Sequence, residues 1–226
     1  MESYFSLCED LRKWFKEEDY KGTDPFVLDE KLFKNSLIRR LRNLVKPLHS
    51  VVPKKIFSVL PKMIIPKALG LIIGGNSSLY NINKKSDYID ENYLLFKKLK
   101  ENKSKFSKNS SWGWPFEWGS FPRYPKNSPL VCVSVPIAFQ LLNFYFITKD
   151  KEILKEVESV CKFLVYENRY KDFGKDICFY FGKHNKCLVH NSNIYAASLL
   201  SHMLSLIHIS EPTRPLYISY AVFCLK

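Results

Sequence analysis

The densest chemistry in this 226-residue sequence is the run SWGWPFEW at residues 111–118, which holds three of the four Trp and a carboxylate. A flat indole face stacks on the apolar side of a sugar ring, while carboxylate and guanidinium groups take up its hydroxyls. Trp112, Trp114, Trp118 and Arg123 are therefore candidate sugar-binding residues, and Glu117 is a candidate acid or base. The same residues also suit an aromatic plug at the end of a helical hairpin, with Glu117 as a cap. A second polar run, VHNSN at residues 189–193, stands where a helix is expected to open and where free N–H groups face a ligand. His190 can act as acid or base near neutral pH, and Asn191 and Asn193 are candidate ligand contacts. The competing reading of this run is N-capping by Asn191 or Ser192. Asp24 sits on a loop punctuated by Gly22 and Pro25, where it or Thr23 can cap the next helix. Glycoside hydrolysis needs two carboxylates roughly 5 to 9 Å apart, and Asp24 with Glu117 is the loop-borne pair on offer.

Other patterns carry less. Cys178, His184, Cys187 and His190 have an irregular spacing for zinc, so no metal is expected. Residues 70–75 lack a preceding strand and the Lys-Ser/Thr of a P-loop, and neither a Ser nucleophile elbow nor a Cys/His motif occurs. No cofactor is expected.

The elements that must position these groups read as helices. Tyr4, Phe5, Cys8, Leu11, Trp14 and Phe15 recur at helical spacing over residues 2–18 and predict an amphipathic helix covering a core. Further helices are expected over 66–80 and 87–100, followed by a surface loop over 102–111. Ser134 is the expected cap of a helix that is apolar nearly all round, with Pro136 in its first turn. Asp150 caps the next helix, where Ile153, Leu154, Val157, Val160, Cys161, Leu164 and Val165 form one stripe. A buried helix, a short turn and an amphipathic helix make a helical hairpin. Residues 177–181 read as a short strand, and the last helix opens near Ser192. The fold class is all-α: an incomplete (α/α) toroid of stacked hairpins, with aromatic-rich loops and at most a short β-hairpin.

A composition of 46% hydrophobic, 15% aromatic and 25% charged residues excludes disorder, collagen and coiled coil. No run approaches the roughly 18 apolar residues that span a bilayer, and Glu2, Glu9 and Asp10 replace the basic start of a targeting segment. Cys8, Cys132, Cys161, Cys178, Cys187 and Cys224 are scattered, as suits reduced thiols. A soluble cytoplasmic protein is expected, its oligomeric state open. The net charge is +13, and residues 31–67 carry ten Lys/Arg without one acid. This segment is an alternative route to function, as a non-catalytic docking element on anionic membrane or partner surfaces. Nucleic acid is not the expected partner, because Pro47, Pro53, Pro61 and Pro66 interrupt any continuous binding helix.

Residues 204–214 (LSLIHISEPTR) and 218–225 (ISYAVFCL) look like two segments of a translated sequencing adapter, in order and in one frame, separated by a barcode-length gap. The expectation is a natural domain over 1–203, truncated there, and a non-native tail over 204–226.

The runs GTDP at 22–25, WGWPFEW at 112–118 ahead of a Ser-Val-Pro helix, and HNSN at 190–193 resemble matching segments of the VpsJ-like polysaccharide-biosynthesis family. That resemblance covers residues 10–203 and the N-terminal part of a member. It implies a six-hairpin toroid of the glycosidase or epimerase kind, acting on a glycan or sugar precursor. Members typically carry Asp where this chain has Glu117.

Overall fold

The computed structural model describes residues 2–24, 61–118 and 123–210. Among them are six helices: α1 (Glu2–Glu17), α2 (Pro66–Asn83), α3 (Asp87–Glu101), α4 (Val131–Thr148), α5 (Lys151–Lys162) and α6 (His190–Ser210). Two small antiparallel pairs accompany them. β1 (Lys21–Gly22) sets Lys21 opposite Ile64 of β2 (Met63–Ile64), and β3 (Tyr170–Asp172) sets Tyr170 opposite Phe179 of β4 (Ile177–Phe179). The all-α class holds. The β3–β4 hairpin matches the expected strand, whereas β1–β2 joins residues about forty positions apart and carries no local sequence signal.

The chain divides into two compact units, one of Pro66–Trp114 with Lys126–Lys226 and one of Met1–Ile65 with Pro115–Pro125. In the larger unit, three residues separate α2 from α3 and two separate α4 from α5. Connections that short make antiparallel neighbours. α2 packs on α3 and α4, and α4 packs on α5 and α6, so α4 is central. Its residues Val131, Val133, Val135, Ile137, Ala138, Leu141, Leu142 and Phe144 are buried on several sides, while α5 buries only one stripe through Ile153, Val157 and Val160. By length and composition alone α4 is apolar enough to cross a membrane, contrary to the expectation that no run comes near. Half of it is buried against neighbouring helices, which accounts for its missing charges.

α2 and α4 run parallel in close contact. A Cβ on Gly70 would lie 3.0 Å from Ile137 Cγ1 and 3.1 Å from its Cα, and one turn later Gly74 faces Gln140. Glycine weakens a helix by propensity, yet here the missing side chain lets two backbones approach, and the helix continues to Asn83. Buried Asn92 of α3 donates from Nδ2 to Ile73 O and Ser77 Oγ, both at 3.2 Å, and so ties α3 to α2.

Asp150 caps α5 as expected, its Oδ1 accepting from Glu152 N at 2.8 Å. Ser134 does not cap α4. The helix opens at Val131 after extended Leu130, because Leu130 N is held by Trp112 O at 3.0 Å. α6 opens at His190 rather than near Ser192, so neither Asn191 nor Ser192 is its cap.

In the smaller unit, α1 forms over nearly the expected residues but does not bury the expected stripe. Tyr4, Cys8, Leu11 and Trp14 are exposed, and Arg12 is the buried residue, its guanidinium 3.2 Å from Glu9. Asp19 and Tyr20 then take positive φ and turn the chain into β1. Of the basic segment 31–67, residues 31–60 lie outside the described residues, as does whatever Thr23 or Asp24 was expected to cap. Lys62 pairs with Glu18. Of the tail at 204–226, residues 211–226 also lie outside them.

Candidate functional site

At one end of the larger unit the segment after α3 meets the segment after α5. Val131 N donates to Phe181 O at 3.0 Å, Leu130 bridges Gly182, and Ser110 N donates to Ser159 Oγ at 2.9 Å. This is the end where α4 begins. The antiparallel hairpins bring the C-termini of α3 and α5 to it.

Trp112 is fully buried there. Its Nε1 donates to Leu99 O at 2.9 Å, and its backbone N and O both bond the Ser134 hydroxyl, at 2.8 and 3.1 Å. No indole face is left for a sugar, so the substrate-binding role expected of Trp112 is corrected: it is the plug. Gly113 must be glycine, since a Cβ would lie 1.9 Å from the Ser128 carbonyl oxygen. Trp114 is partly exposed, its carbonyl accepting from Asn127 N at 2.7 Å.

Asn193 is corrected likewise. Its Oδ1 accepts from Phe179 N at 2.6 Å, and its Nδ2 donates to Phe179 O at 2.9 Å and Val189 O at 3.2 Å. The side chain staples β4 to α6 and is buried, so it is not presented to a ligand. His190 and Asn191 are exposed in the first turn of α6.

The remaining candidates belong to the smaller unit. Glu117 and Arg123 form an ion pair at 3.6 Å, each side chain about half exposed. Trp118 and Tyr124 exchange backbone hydrogen bonds at 3.1 and 2.8 Å, with ring centroids 5.7 Å apart. Asp24 is partly buried, two residues after β1. The structure thus joins Glu117 to Arg123. The candidates divide between the units, with Trp112, Trp114, His190, Asn191 and Asn193 on the larger one.

A feature missed in the sequence lies between the loop over 105–109 and the end of α5, where the helix widens into a π turn at Phe163–Glu167. Such turns recur at functional sites. Glu167 accepts from Asn109 N and Nδ2 at 2.8 Å each, Lys108 N at 3.1 Å and Ser107 Oγ at 3.0 Å. Lys183 Nζ adds an ion pair at 3.3 Å. Burial pushes the Glu167 carboxyl up, but the hydrogen bonds from Asn109, Lys108 and Ser107 outweigh it and bring it down to about 2. The cleft beside it holds about 530 Å³. Its signal in the sequence was the pair Tyr166-Glu167, which follows the apolar stripe of α5 without belonging to it.

The thiols of α4 and α5 are poor nucleophiles. Burial pushes Cys161 up to about 12 and Cys132 up to about 11, the latter against the pull of Lys67. Among the described residues no three His, Cys, Asp or Glu side chains gather to hold a metal.

No family model and no curated protein matches this chain. The likeness to the VpsJ-like family rests on the three short runs at 22–25, 112–118 and 190–193.

Proposed function

We propose that this chain is a carbohydrate-binding or carbohydrate-active protein of surface-polysaccharide assembly, working in the cytoplasm on a glycan or sugar precursor. In this reading it is the N-terminal part of a six-hairpin (α/α) toroid of the VpsJ-like kind. The observation that supports it is the order within the larger unit: central, apolar α4 paired with amphipathic α5, α2 parallel to α4, and aromatic-bearing loops collected where α4 begins. A rigid helical array with its variable loops at one end is the arrangement that presents a ligand site. Each unit offers its own proposed sugar contacts: Trp118 and Arg123 on the smaller one, Trp114 and Asn191 on the larger one. In an enzymatic version, glycosidase-like or epimerase-like, acid and base come from Asp24 and Glu117 on the smaller unit or from His190 on the larger one.

The test is a glycan-binding and turnover panel on the full chain with Trp114→Ala and Glu117→Gln. Sugar stacking and a charged hydrogen bond are each worth about 1 to 3 kcal/mol. Each variant should therefore bind glycan tenfold or more weakly at an unchanged melting temperature. Normal binding with lost turnover in Glu117→Gln makes this residue an acid or base. The reading fails if no glycan binds the parent chain, or if Trp114→Ala mainly unfolds it while Glu117→Gln changes nothing.

A further inference from the structure

The cleft beside Glu167 has a lining that packing does not explain. Its volume of about 530 Å³ falls within the roughly 300 to 1,000 Å³ of small-ligand clefts. The polar groups of its loop are already committed. The amides of Lys108 and Asn109, the Asn109 side chain and the Ser107 hydroxyl all point at Glu167, which makes the loop a fixed wall. Lys183 Nζ binds Phe106 O at 2.8 Å and fastens the same wall to the segment before α6.

What remains facing the cleft is cationic and aromatic. Lys105 and Lys108 are exposed and form no ion pair among the described residues. The one carboxylate in the lining, Glu167, has an ammonium partner of its own in Lys183, so it is not what balances Lys105 and Lys108. Tyr166 is 79% exposed and Phe106 45% exposed, the latter held edge-on to His184 with centroids 5.2 Å apart. Two large rings kept in water beside a cleft have a face to offer, and a pyranose ring has an apolar face that fits one. Ammonium groups without a partner next to those rings add a preference for negative charge.

We propose that this cleft binds a carboxylate-bearing saccharide of the uronic-acid type, with Tyr166 stacked on the ring and Lys105 and Lys108 paired with its carboxylate. The inference rests on the carbohydrate reading above and adds a further subsite, separate from the contacts named there, together with the acidity of the sugar unit it takes. A strand of nucleic acid would instead call for a cationic groove longer than this cleft.

The experiment is calorimetric titration of the full chain with oligogalacturonate, with a neutral galactan oligosaccharide of equal length, and with inorganic phosphate. Oligogalacturonate should bind at least tenfold more tightly than the neutral chain and should weaken as salt is raised. The double variant Lys105→Ala/Lys108→Ala should lose that advantage tenfold or more, and Tyr166→Ala should weaken both oligosaccharides. All three residues are exposed, so melting temperatures should not move. Equal affinity for the acidic and neutral chains overturns the acidity while leaving the carbohydrate reading in place. Binding of phosphate alone, or of none of the three, overturns the proposal. The Trp114→Ala panel then decides the wider reading separately.

Discussion

The indole nitrogen of Trp112 donates to the Leu99 carbonyl at 2.9 Å, so one loop side chain fills the core and also satisfies a carbonyl in the last turn of α3. Removing the ring empties a core site and leaves that carbonyl with Asn102 N, at 3.1 Å, as its donor. Trp112→Ala should lower stability by about 3 to 5 kcal/mol, and Trp112→Phe by about 1 to 3 kcal/mol, the share of the lost hydrogen bond and reduced packing. Urea denaturation checks both. A Trp112→Ala chain as stable as the parent would mean that the ring is no plug.

Gly113 answers to a different constraint. Its missing Cβ would meet backbone rather than the end of a flexible side chain, at 1.9 Å from Ser128 O. Gly113→Ala should therefore unfold the loop or lower stability by more than about 2 kcal/mol, whereas Gly75→Ala, with open space around it, should raise helix stability slightly. Thermal melts of the two variants should move in opposite directions.

Asn193 and Asn191 stand two residues apart with opposite expectations. Asn193→Ala frees the backbone N–H and C=O of Phe179 in a buried setting, a loss of about 2 to 4 kcal/mol. Asn191→Ala touches an exposed residue and should leave the melting temperature within a degree or two. If glycan binding responds to Asn191→Ala, the start of α6 belongs to the site.

Glu167 makes stability depend on pH in a fixed direction. Its carboxyl is depressed in the folded chain to about 2, below an unfolded value of about 4.3. The stabilisation is complete above the unfolded value and is lost as pH falls toward the folded one. Glu167→Gln should thus be less stable than the parent by about 1 to 3 kcal/mol at pH 7, and the gap should close between pH 4.5 and about 2. Urea midpoints measured across that range test it, and a pH-independent gap would remove the charge from the explanation.

Cys132 and Cys161, partly buried and held protonated, should react with a thiol reagent at neutral pH far more slowly than an exposed thiol. Cys8 is exposed on α1 and should react at once. Mass spectrometry of labelled peptides separates them.

Periodicity made the helices legible. The stripe of α5 and the cap at Asp150 are local features, and both stand where spacing put them. α1 shows the limit: its residues 2–17 are helical as spacing implies, yet Tyr4, Leu11 and Trp14 are exposed. An apolar stripe at helical spacing marks which face can be buried, but only a neighbouring element decides whether it is.

The candidate site divides along the same line. The sequence determined that the Trp-rich loop precedes a buried helix, that a polar run opens α6, and that helical hairpins dominate, because each depends on residues a few positions apart. Tertiary structure alone decided that Trp112 is fully buried against Leu99 while Trp114 is only partly so, and that Asn193 is spent on Phe179. It alone brought Glu167 to a loop some sixty residues earlier, and Gly70 against Ile137. Those outcomes turn on which buried polar group finds a partner and which backbones approach, and such pairings are fixed by packing between elements distant in the chain.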